Sequence, residues 1–340
     1  MPSHYSRHAD SMMGERITIG VGWDRNIDPA GHVDAFKEVE FSLLAEEAGL
    51  DGVWLLDSPS NRRESFDPHV MLAYVAARSQ RIALGTATYL LPLCHPVRLA
   101  KQLATLDILS RGRVILGVGV GGEFPKQFEA FGVPVGERGT RANEYIQIMR
   151  NLWTDPVASF HGSFHSFEGI IMEPRPVQKP IPVWVGGRPG GVEHTPNGQV
   201  RFKSRTGALQ RAALLSDGWI PYYIGVDRYR DSVEHIRAIA REHGREPSQI
   251  AMGLSTSTTI ADSYEEGLDK AIRNLRYGEA FTPEQVQRYD FVGTARDIVA
   301  RMEQFVEAGC RNFICKLQSP TEEVPAHMGY LAKEVASHFR

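Results

Sequence analysis

The sequence predicts an α/β fold of the (β/α)8 TIM-barrel type with loop insertions. Strand-like and helix-like segments alternate about eight times along the chain, which is the number of units that closes a parallel barrel. The strand-like runs VILGVGV, IALGT and FICKL are apolar without alternation, as is typical of strands covered on both faces. A doubly wound open sheet is the alternative. The chain of 340 residues, 42% of them hydrophobic, is long enough for either fold.

The first four units are apolar, β-branched runs that are each followed by a helical pattern. The predicted strands are 17–23, 52–58, 81–92 and 113–121, and the predicted helices are 39–49, 67–79, 95–110 and 137–153. Asp67 can cap the second helix, with Pro68 as its first residue. Apolar residues at helical spacing predict the buried faces of the last two helices: Leu99, Leu103 and Leu106, then Ala142, Ile146, Met149 and Trp153.

The second half supplies four more predicted strands and two of the three long connections. The strands are 182–187, 218–225, 250–261 and 311–317. The long connections are 26–34, 154–180 and 188–207, and such Gly- and Pro-rich connections are often lids or binding loops. We expect residues 1–16 to be a flexible N-terminal tail and 17–340 to form one barrel domain, with insertions near 154–180 and 188–207.

Composition favours a cytoplasmic protein whose partner is a small molecule. Lys and Arg total 38 against 41 Asp and Glu, a formal net charge of -3, so no broad basic field is available to attract nucleic acid. The three cysteines, Cys94, Cys310 and Cys315, lack metal-ligand spacing, which predicts a reducing compartment and no metal site. No run resembles a secretory signal or a membrane span. We therefore expect a small neutral or anionic ligand.

The stretch RVILGVGVGGEF contains a G-x-G-x-x-G spacing at Gly117, Gly119 and Gly122. A dinucleotide fingerprint would be the first βα turn and would be followed by an acid at the end of the next strand. Here the stretch is the fourth unit, so we interpret the spacing as coincidental. Glycine within the strand relieves crowding inside a narrow barrel. Gly121 and Gly122, just past the strand, are predicted cofactor contacts because bare backbone lets a flat ring or a phosphate approach.

Several segments, in order, resemble the luciferase-like monooxygenase superfamily. They are GTATYLLPLCHPVRLAKQLATLDILSRGRVILGVGVGGEF, FGVPVGERGTRANEYIQIMRNLW, PRPVQKPIPVWVGG and DGWIPYY. That family includes FMN-dependent monooxygenases and coenzyme F420-dependent oxidoreductases, which share a (β/α)8 barrel with insertions. The resemblance covers residues 17–223, and the remainder matches in pattern only.

The resemblance implies positions for the cofactor. In deazaflavin-using members a bulge in the third strand supports the central ring, and the matching residues are Thr86, Ala87 and Thr88, with a cis peptide expected between the last two. The loop Gly186-Gly187-Arg188 matches the family's phosphate-binding segment, where N–H groups and a guanidinium would clamp an anion.

Two departures from the family pattern limit what can be carried over. Asp57-Ser58-Pro59 stands where members carry a histidine after strand two, so a histidine-dependent mechanism is not imported. Val120 stands where luciferase has an arginine for the FMN phosphate. Phosphate binding then falls to the strand-five loop, with possible help from three basic residues of the insertion: Arg201, Lys203 and Arg205.

Four residues are candidates for catalysis, each with a plainer alternative. Asp57 could act as a general acid or base, or cap the following turn. Glu123 could protonate or orient substrate, or stabilise a helix start. His95, which titrates in a useful range, could instead cap or pack the third helix. Tyr89 could stack on a ring or donate a hydrogen bond, or simply complete the barrel core.

Three functions follow as hypotheses. In the first, reduced FMN supplied by a separate flavin reductase reacts with oxygen to oxidise a small organic substrate. The second uses coenzyme F420 for hydride transfer, and the third is a flavin-binding barrel without turnover. A phosphosugar-type barrel enzyme would fit the fold but leave the family segments unexplained. Family habit predicts a homodimer that packs through the early helices, 68–79 and 96–110.

Overall fold

The structure is a computed structural model in which residues 12, 14–22, 34–59, 65–190, 192–194, 200–202, 207–273 and 282–340 are described. Its eight main strands are β1 (Thr18–Gly22), β2 (Gly52–Leu55), β3 (Ala83–Thr86), β5 (Val114–Gly119), β8 (Val183–Gly186), β11 (Gly218–Ile220), β12 (Ala251–Ile260) and β14 (Asn312–Leu317). Strand β4 (Tyr89–Leu90) extends β3, and β13 (Phe291–Gly293) is an additional short strand. All their pairings are parallel.

The sheet closes on itself. Its order is β11-β8-β5-β3-β2-β1-β14-β12, and β12 pairs back to β11 through Gly218 with Ala251 and Trp219 with Met252. This closed parallel sheet is the predicted (β/α)8 TIM barrel, so the doubly wound alternative is wrong. Strand β13, which the sequence pattern did not predict, pairs with the outer end of β12 at Thr258–Ile260.

Helices cover the outside of the barrel. They are α1 (Ala35–Glu47), α2 (Pro68–Arg78), α3 (Pro96–Ser110), α4 (Pro125–Ala130), α5 (Arg138–Thr154), α6 (Gly207–Leu215), α7 (Val226–Glu242), α8 (Tyr264–Arg273), α9 (Pro283–Tyr289), α10 (Ala295–Glu307) and α11 (Val324–Tyr330). Asp67 caps α2 by accepting the N–H groups of His69 and Val70 at 2.9 Å, as predicted. The apolar residues predicted in phase on α3 and α5 are all buried, at 4% exposure or less.

Two strands end earlier than predicted. Strand β2 ends at Leu55 rather than at residue 58, because the chain turns there to meet the bulge of the neighbouring strand. Strand β11 ends at Ile220, because Pro221 has no N–H to donate and Tyr223 adopts a left-handed φ of 48°. The predicted strand 81–92 is split into β3 and β4 by that bulge.

Two tryptophans fill the interior of the barrel. The rings of Trp54 and Trp184 lie 5.3 Å apart, and both side chains are buried. Glycines make room for them: a Cβ at Gly85 would lie 2.2 Å from Trp54, and one at Gly218 would lie 2.7 Å from Trp184. Met12 joins this interior cluster at 2% exposure, so the segment expected to be a flexible tail contains a buried side chain.

Both predicted insertions contain short antiparallel hairpins. Strands β6 (Ala158–His161) and β7 (Ser166–Ile170) pair in the first. Its turn is held by Glu144 of α5, whose carboxylate accepts the N–H groups of Ser163, Phe164 and His165 at 2.7–3.1 Å. In the second, β9 (Val192–His194) pairs with β10 (Val200–Phe202). Residues 203–206, the 26–33 part of the first long connection and the Arg201 side chain lie outside the described residues.

Candidate functional site

The carboxyl ends of the barrel strands bring most of the predicted site residues to one mouth, where barrel enzymes bind their ligands. A bulge joins β3 to β4 there, and the Ala87–Thr88 peptide within it is cis, as expected. Strand β3 pairs with β5 at Leu84 and Gly85, and pairing resumes at Tyr89 and Leu90 in β4. The bulge therefore lies between two paired segments, directly at the mouth.

Thr86 and Ala87, which were predicted to support the cofactor ring, are both buried. The Thr86 hydroxyl donates to the Gly117 carbonyl at 2.7 Å and the side chain is 1% exposed. Ala87 is 6% exposed and belongs to the interior cluster. Thr88, by contrast, is half-buried. Of the three bulge residues, Thr88 alone retains a side chain that is open to the mouth.

Thr88 packs against two glycines on the next strands, and we call these three residues the glycine wall: Thr88, Gly119 and Gly186. A Cβ at Gly119 would lie 2.4 Å from Thr88 Oγ1, and one at Gly186 would lie 2.5 Å from Thr88 Cγ2. Gly117 lies deeper, where a Cβ would be 1.9 Å from the Thr86 carbonyl oxygen. Crowding thus accounts for the strand glycines, and the wall presents little but backbone to the mouth.

The turn after β5 requires glycine for its backbone. Gly121 and Gly122 have φ of 59° and 112°, conformations that L side chains rarely adopt. Glu123 follows, with an exposed side chain whose Oε1 accepts a hydrogen bond from the Tyr222 hydroxyl at 3.2 Å. The structure thereby joins Glu123 to the end of β11 across the mouth, a pairing that no sequence spacing indicated.

Asp57 lies behind the bulge and is hydrogen-bonded to the backbone there. Its Oδ2 accepts the Leu90 N–H at 2.9 Å, and its own N–H donates to the Thr88 carbonyl at 3.3 Å. Burial raises the pKa of this carboxyl to about 6. These two bonds reach the backbone of Thr88 in the bulge and of Leu90 in β4, so Asp57 holds the bulge in place. Among the described residues, its side chain does not cap the following turn.

A small buried cluster lies beside Asp57. The Tyr89 ring stacks on His69 of α2 with centroids 4.5 Å apart. Burial lowers the pKa of His69 to about 4 and raises the pKa of Tyr89 far above its usual value, so both are neutral at neutral pH. Burial likewise raises the pKa of the Cys94 thiol to about 12. Tyr89 thus contributes packing and a protonated hydroxyl.

His95, another candidate for catalysis, contacts the β6–β7 hairpin. It is exposed at the start of α3, and it makes no side-chain capping bond. Its ring meets His165 of the β6–β7 hairpin edge-on, with centroids 5.0 Å apart. The position follows from the hairpin folding back over α3 and α5, which the sequence pattern did not predict.

Arg188, the predicted phosphate clamp, is buried at 6% exposure and faces β11. Its Nη1 donates to the carbonyls of Tyr222 and Tyr223 at 3.4 and 3.1 Å, and its guanidinium lies 4.9 Å from the centre of the Tyr222 ring. Burial lowers the pKa of Arg188. This side chain therefore braces the turn that carries the partner of Glu123.

Sequence reasoning missed two arginines, which we call the cationic pair: Arg138 and Arg211. Arg138 lies against Gly122, where a Cβ would be 2.9 Å from its Nε. Arg211 donates to Asn143 Oδ1 at 2.6 Å and to the Gly139 carbonyl at 3.0 Å, and it is 8% exposed. Burial, followed by the nearby charge of Arg138, lowers the pKa of Arg211 to about 10.

The cationic pair has no acidic partner within the described part of the chain. The salt bridges among the described residues involve neither Arg138 nor Arg211. The Nε atom of Arg138 is buried and has no hydrogen-bond partner there. The neighbouring α6 begins at Gly207, and Gly187 approaches Ala208 closely enough that a Cβ would lie 3.2 Å from it. The buried guanidinium of Arg211 and the half-buried guanidinium of Arg138, beside a helix start and a glycine loop, fit a phosphate.

Among the described residues, no group of three or more His, Cys, Asp or Glu side chains could hold a metal ion. His161 and His165 lie on the β6–β7 hairpin. No helix in the same residues is long and apolar enough to cross a membrane.

Two relatives illustrate the similarity at the level of sequence. An uncharacterized protein of Mycobacterium tuberculosis is 38% identical over 193 residues, which cover 56% of this chain and 62% of that protein. An F420-dependent glucose-6-phosphate dehydrogenase of Kineococcus radiotolerans is 28% identical over 306 residues, which cover 87% of this chain and 83% of that enzyme. The chain thus aligns with less than two thirds of the first relative's length.

Solved structures share the fold. Monooxygenase RslO1 of Streptomyces bottropensis superimposes with a TM-score of 0.79 at 24% identity, covering 95% of this chain and all of its own. An F420-dependent secondary alcohol dehydrogenase with an F420-acetone adduct gives 0.79 at 18%, covering 96% and 99%. The oxygenating constituent of 3,6-diketocamphane monooxygenase of Pseudomonas putida, in complex with FMN, gives 0.74 at 17%, covering 95% and 98%.

The family model described as luciferase-like monooxygenase matches residues 24–194 and 204–304, a span that includes the glycine wall, Asp57, Glu123 and the cationic pair. The chain therefore belongs to the luciferase-like monooxygenase family of oxidoreductases.

Proposed function

We propose that the protein is a coenzyme F420-dependent oxidoreductase that transfers hydride between the deazaflavin and a small organic substrate. The observation that carries the proposal is the pairing of a glycine wall with the cationic pair, in which Arg211 and the Nε atom of Arg138 are buried and neither arginine has an acidic partner among the described residues. Such a site suits a flat ring joined to a phosphate. The similarity to an F420-dependent dehydrogenase along 87% of the chain supports F420 as that group.

The chain's own residues would divide the work at this mouth. Thr88 and the backbone of Gly119 and Gly186 would support the face of the ring, while Arg138 and Arg211 would hold the phosphate. F420, when bound, supplies the carbon that accepts or donates hydride. Glu123, oriented by the Tyr222 hydroxyl, would exchange a proton with a substrate oxygen.

An FMN-dependent monooxygenase is the second candidate, because FMN also joins a flat ring to a phosphate and would suit the same glycine wall and cationic pair. It would need reduced FMN from a separate flavin reductase, and oxygen as co-substrate. A cytoplasmic enzyme of small molecules is consistent with both candidates.

Titration of the purified protein with F420 and with oxidised and reduced FMN tests the choice. We expect F420 to bind with a dissociation constant on the order of micromolar and FMN at least about tenfold more weakly, measured by calorimetry and by the visible spectrum. Tighter binding of FMN would overturn the F420 proposal in favour of the monooxygenase. Failure to bind either cofactor would overturn both.

A further inference from the structure

Polar side chains line the barrel mouth on the side opposite the glycine wall. The glycine wall is centred on β5, and β14 lies four strands away in the closed order of eight. A Cβ at Gly22 would lie 3.7 Å from Lys316 Cγ and 3.8 Å from Ile314 Cγ2, and Ile314 belongs to the interior cluster. Residues two apart on a strand share a face, so Lys316 and Gln318 point into the barrel.

The neighbouring strand β12 adds two hydroxyls to the same surface. A Cβ at Gly253 would lie 2.7 Å from Ile220 and 3.4 Å from Trp184, both interior residues, so Ser255 and Ser257 face inward by the same alternation. Gln318 Nε2 donates to Ser257 Oγ at 3.5 Å, which ties the two strands together. We call this surface the polar wall: Ser255, Ser257, Lys316 and Gln318.

Near the mouth, the exposure of the side chains along β12 and β14 alternates from one residue to the next, as expected when every second residue faces the mouth. Ser257, Lys316 and Gln318 are half-buried, whereas the residues beside them on each strand are buried. Ser255 lies one layer deeper at 4% exposure, and its Oγ has no hydrogen-bond partner among the residues the structure describes. A buried hydroxyl without a partner, beneath a layer that is open to the mouth, indicates a space that a polar ligand atom can fill.

Two described acids lie on the side of the mouth that the glycine wall occupies: Asp57, behind the bulge next to β2, and Glu123, after β5. Neither β12 nor β14 contains an Asp or Glu. The polar wall therefore combines an ammonium group, an amide and hydroxyl donors on strands that carry no acid.

We propose that the polar wall binds an anionic group of the substrate, a carboxylate or a phosphate. Lys316 supplies the charge, and Ser255 and Ser257 supply hydrogen bonds that fix the orientation of the group. This inference rests on the proposed function, because it names the substrate class of the same site. The cationic pair lies on α5 and α6, and Arg138 contacts Gly122 just after β5, on the opposite side of the mouth from β14. The substrate anion and the cofactor phosphate therefore occupy separate places.

Calorimetric titration with inorganic phosphate and with oxalate tests the polar wall, in the presence and absence of saturating F420. We expect wild type to bind one of these anions under both conditions, and Lys316→Met to weaken binding at least about tenfold. Lys316→Arg keeps the charge and should stay within about threefold of wild type. Ser255→Ala should weaken binding by a smaller factor. Lys333→Met, an exposed lysine at the C-terminal end, is the matched control and should have no effect.

Equal affinity in wild type and Lys316→Met would overturn the inference, as would failure of wild type to bind either anion. Loss of anion binding when F420 is present would also overturn it, because the anion would then occupy the cofactor's phosphate site. If Lys316→Met does not fold by circular dichroism, Lys316→Arg and Ser255→Ala decide the outcome. Lys316-dependent anion binding in a protein that does not bind F420 would support the polar wall while overturning the proposed cofactor.

Discussion

At the scale of single residues, Asp57 shows how burial and hydrogen bonding compete. Its carboxylate accepts a backbone N–H, which favours the charged form, yet burial outweighs that bond and raises the pKa from 3.8 to about 6. Between these two values the unfolded chain releases a proton that the folded protein retains. Folding stability attributable to Asp57 therefore falls as the pH rises from 3.8 to about 6, and stays low above that.

Asp57→Asn should remove this pH dependence, because the amide can still accept the Leu90 N–H but carries no charge. The difference in unfolding free energy between Asp57→Asn and wild type should shift in favour of the variant by about 3 kcal/mol between pH 3.5 and 7.5. Urea unfolding at both pH values measures it. Asp231→Asn, at an exposed position of α7, is the control. An identical difference at the two pH values would contradict the assigned burial penalty.

The cationic pair gives a second prediction for a single residue. Arg138→Met should weaken cofactor binding by about tenfold, because a charge-assisted bond to the phosphate is lost while the length of the side chain is retained. Arg98→Met, exposed on α3, should bind as wild type does. Calorimetry with F420 makes the comparison. If Arg188→Met weakens binding more than Arg138→Met, the phosphate lies at the loop predicted from the sequence and not at the cationic pair.

At the scale of elements, three adjacent strands shape the glycine wall together. Thr88 enters from the β3–β4 bulge and fills the space left by the missing side chains of β5 and β8. Each contact involves a different atom of Thr88: Cγ2 faces Gly186, and Oγ1 faces Gly119. The wall can therefore be tested one contact at a time.

Gly186→Ala should destabilise the fold by about 1–3 kcal/mol through overpacking against Thr88 Cγ2. Thr88→Ser, which removes that methyl group, should rescue Gly186→Ala but not Gly119→Ala, whose added Cβ meets the retained hydroxyl. A double-mutant cycle of unfolding free energies measures this coupling. Additive effects in both pairs would mean that Thr88 does not occupy the space between the two glycines.

At the scale of the whole molecule, four exposed apolar side chains lie on the early helices. Phe36 of α1, Val70 and Tyr74 of α2 and Leu109 of α3 are 70%, 69%, 46% and 61% exposed. These helices include both of those that family habit assigns to a homodimer. Apolar side chains concentrated on adjacent helices favour association over solvation.

Val70→Glu should therefore convert a homodimer to a monomer, because a charge would be buried at the interface. Ile171→Glu, at a residue that is 65% exposed just after β7 and outside the early helices, should leave the mass unchanged. Sedimentation equilibrium of wild type and both variants gives the masses. A monomeric wild type, or a Val70→Glu variant that remains a dimer, would contradict the predicted interface.

The sequence alone determined the barrel, because each strand buried on both faces has to be apolar throughout and each capped helix bears a periodic apolar stripe. It also placed Thr88, Glu123 and Gly186 at strand ends, and so at one mouth. The tertiary structure decided what touches what. It brings together residues that are separated in the chain: Arg138 with Gly122, Tyr222 with Glu123, and Ser255 beneath Lys316. Such contacts depend on strand register and barrel closure, which local sequence pattern does not encode.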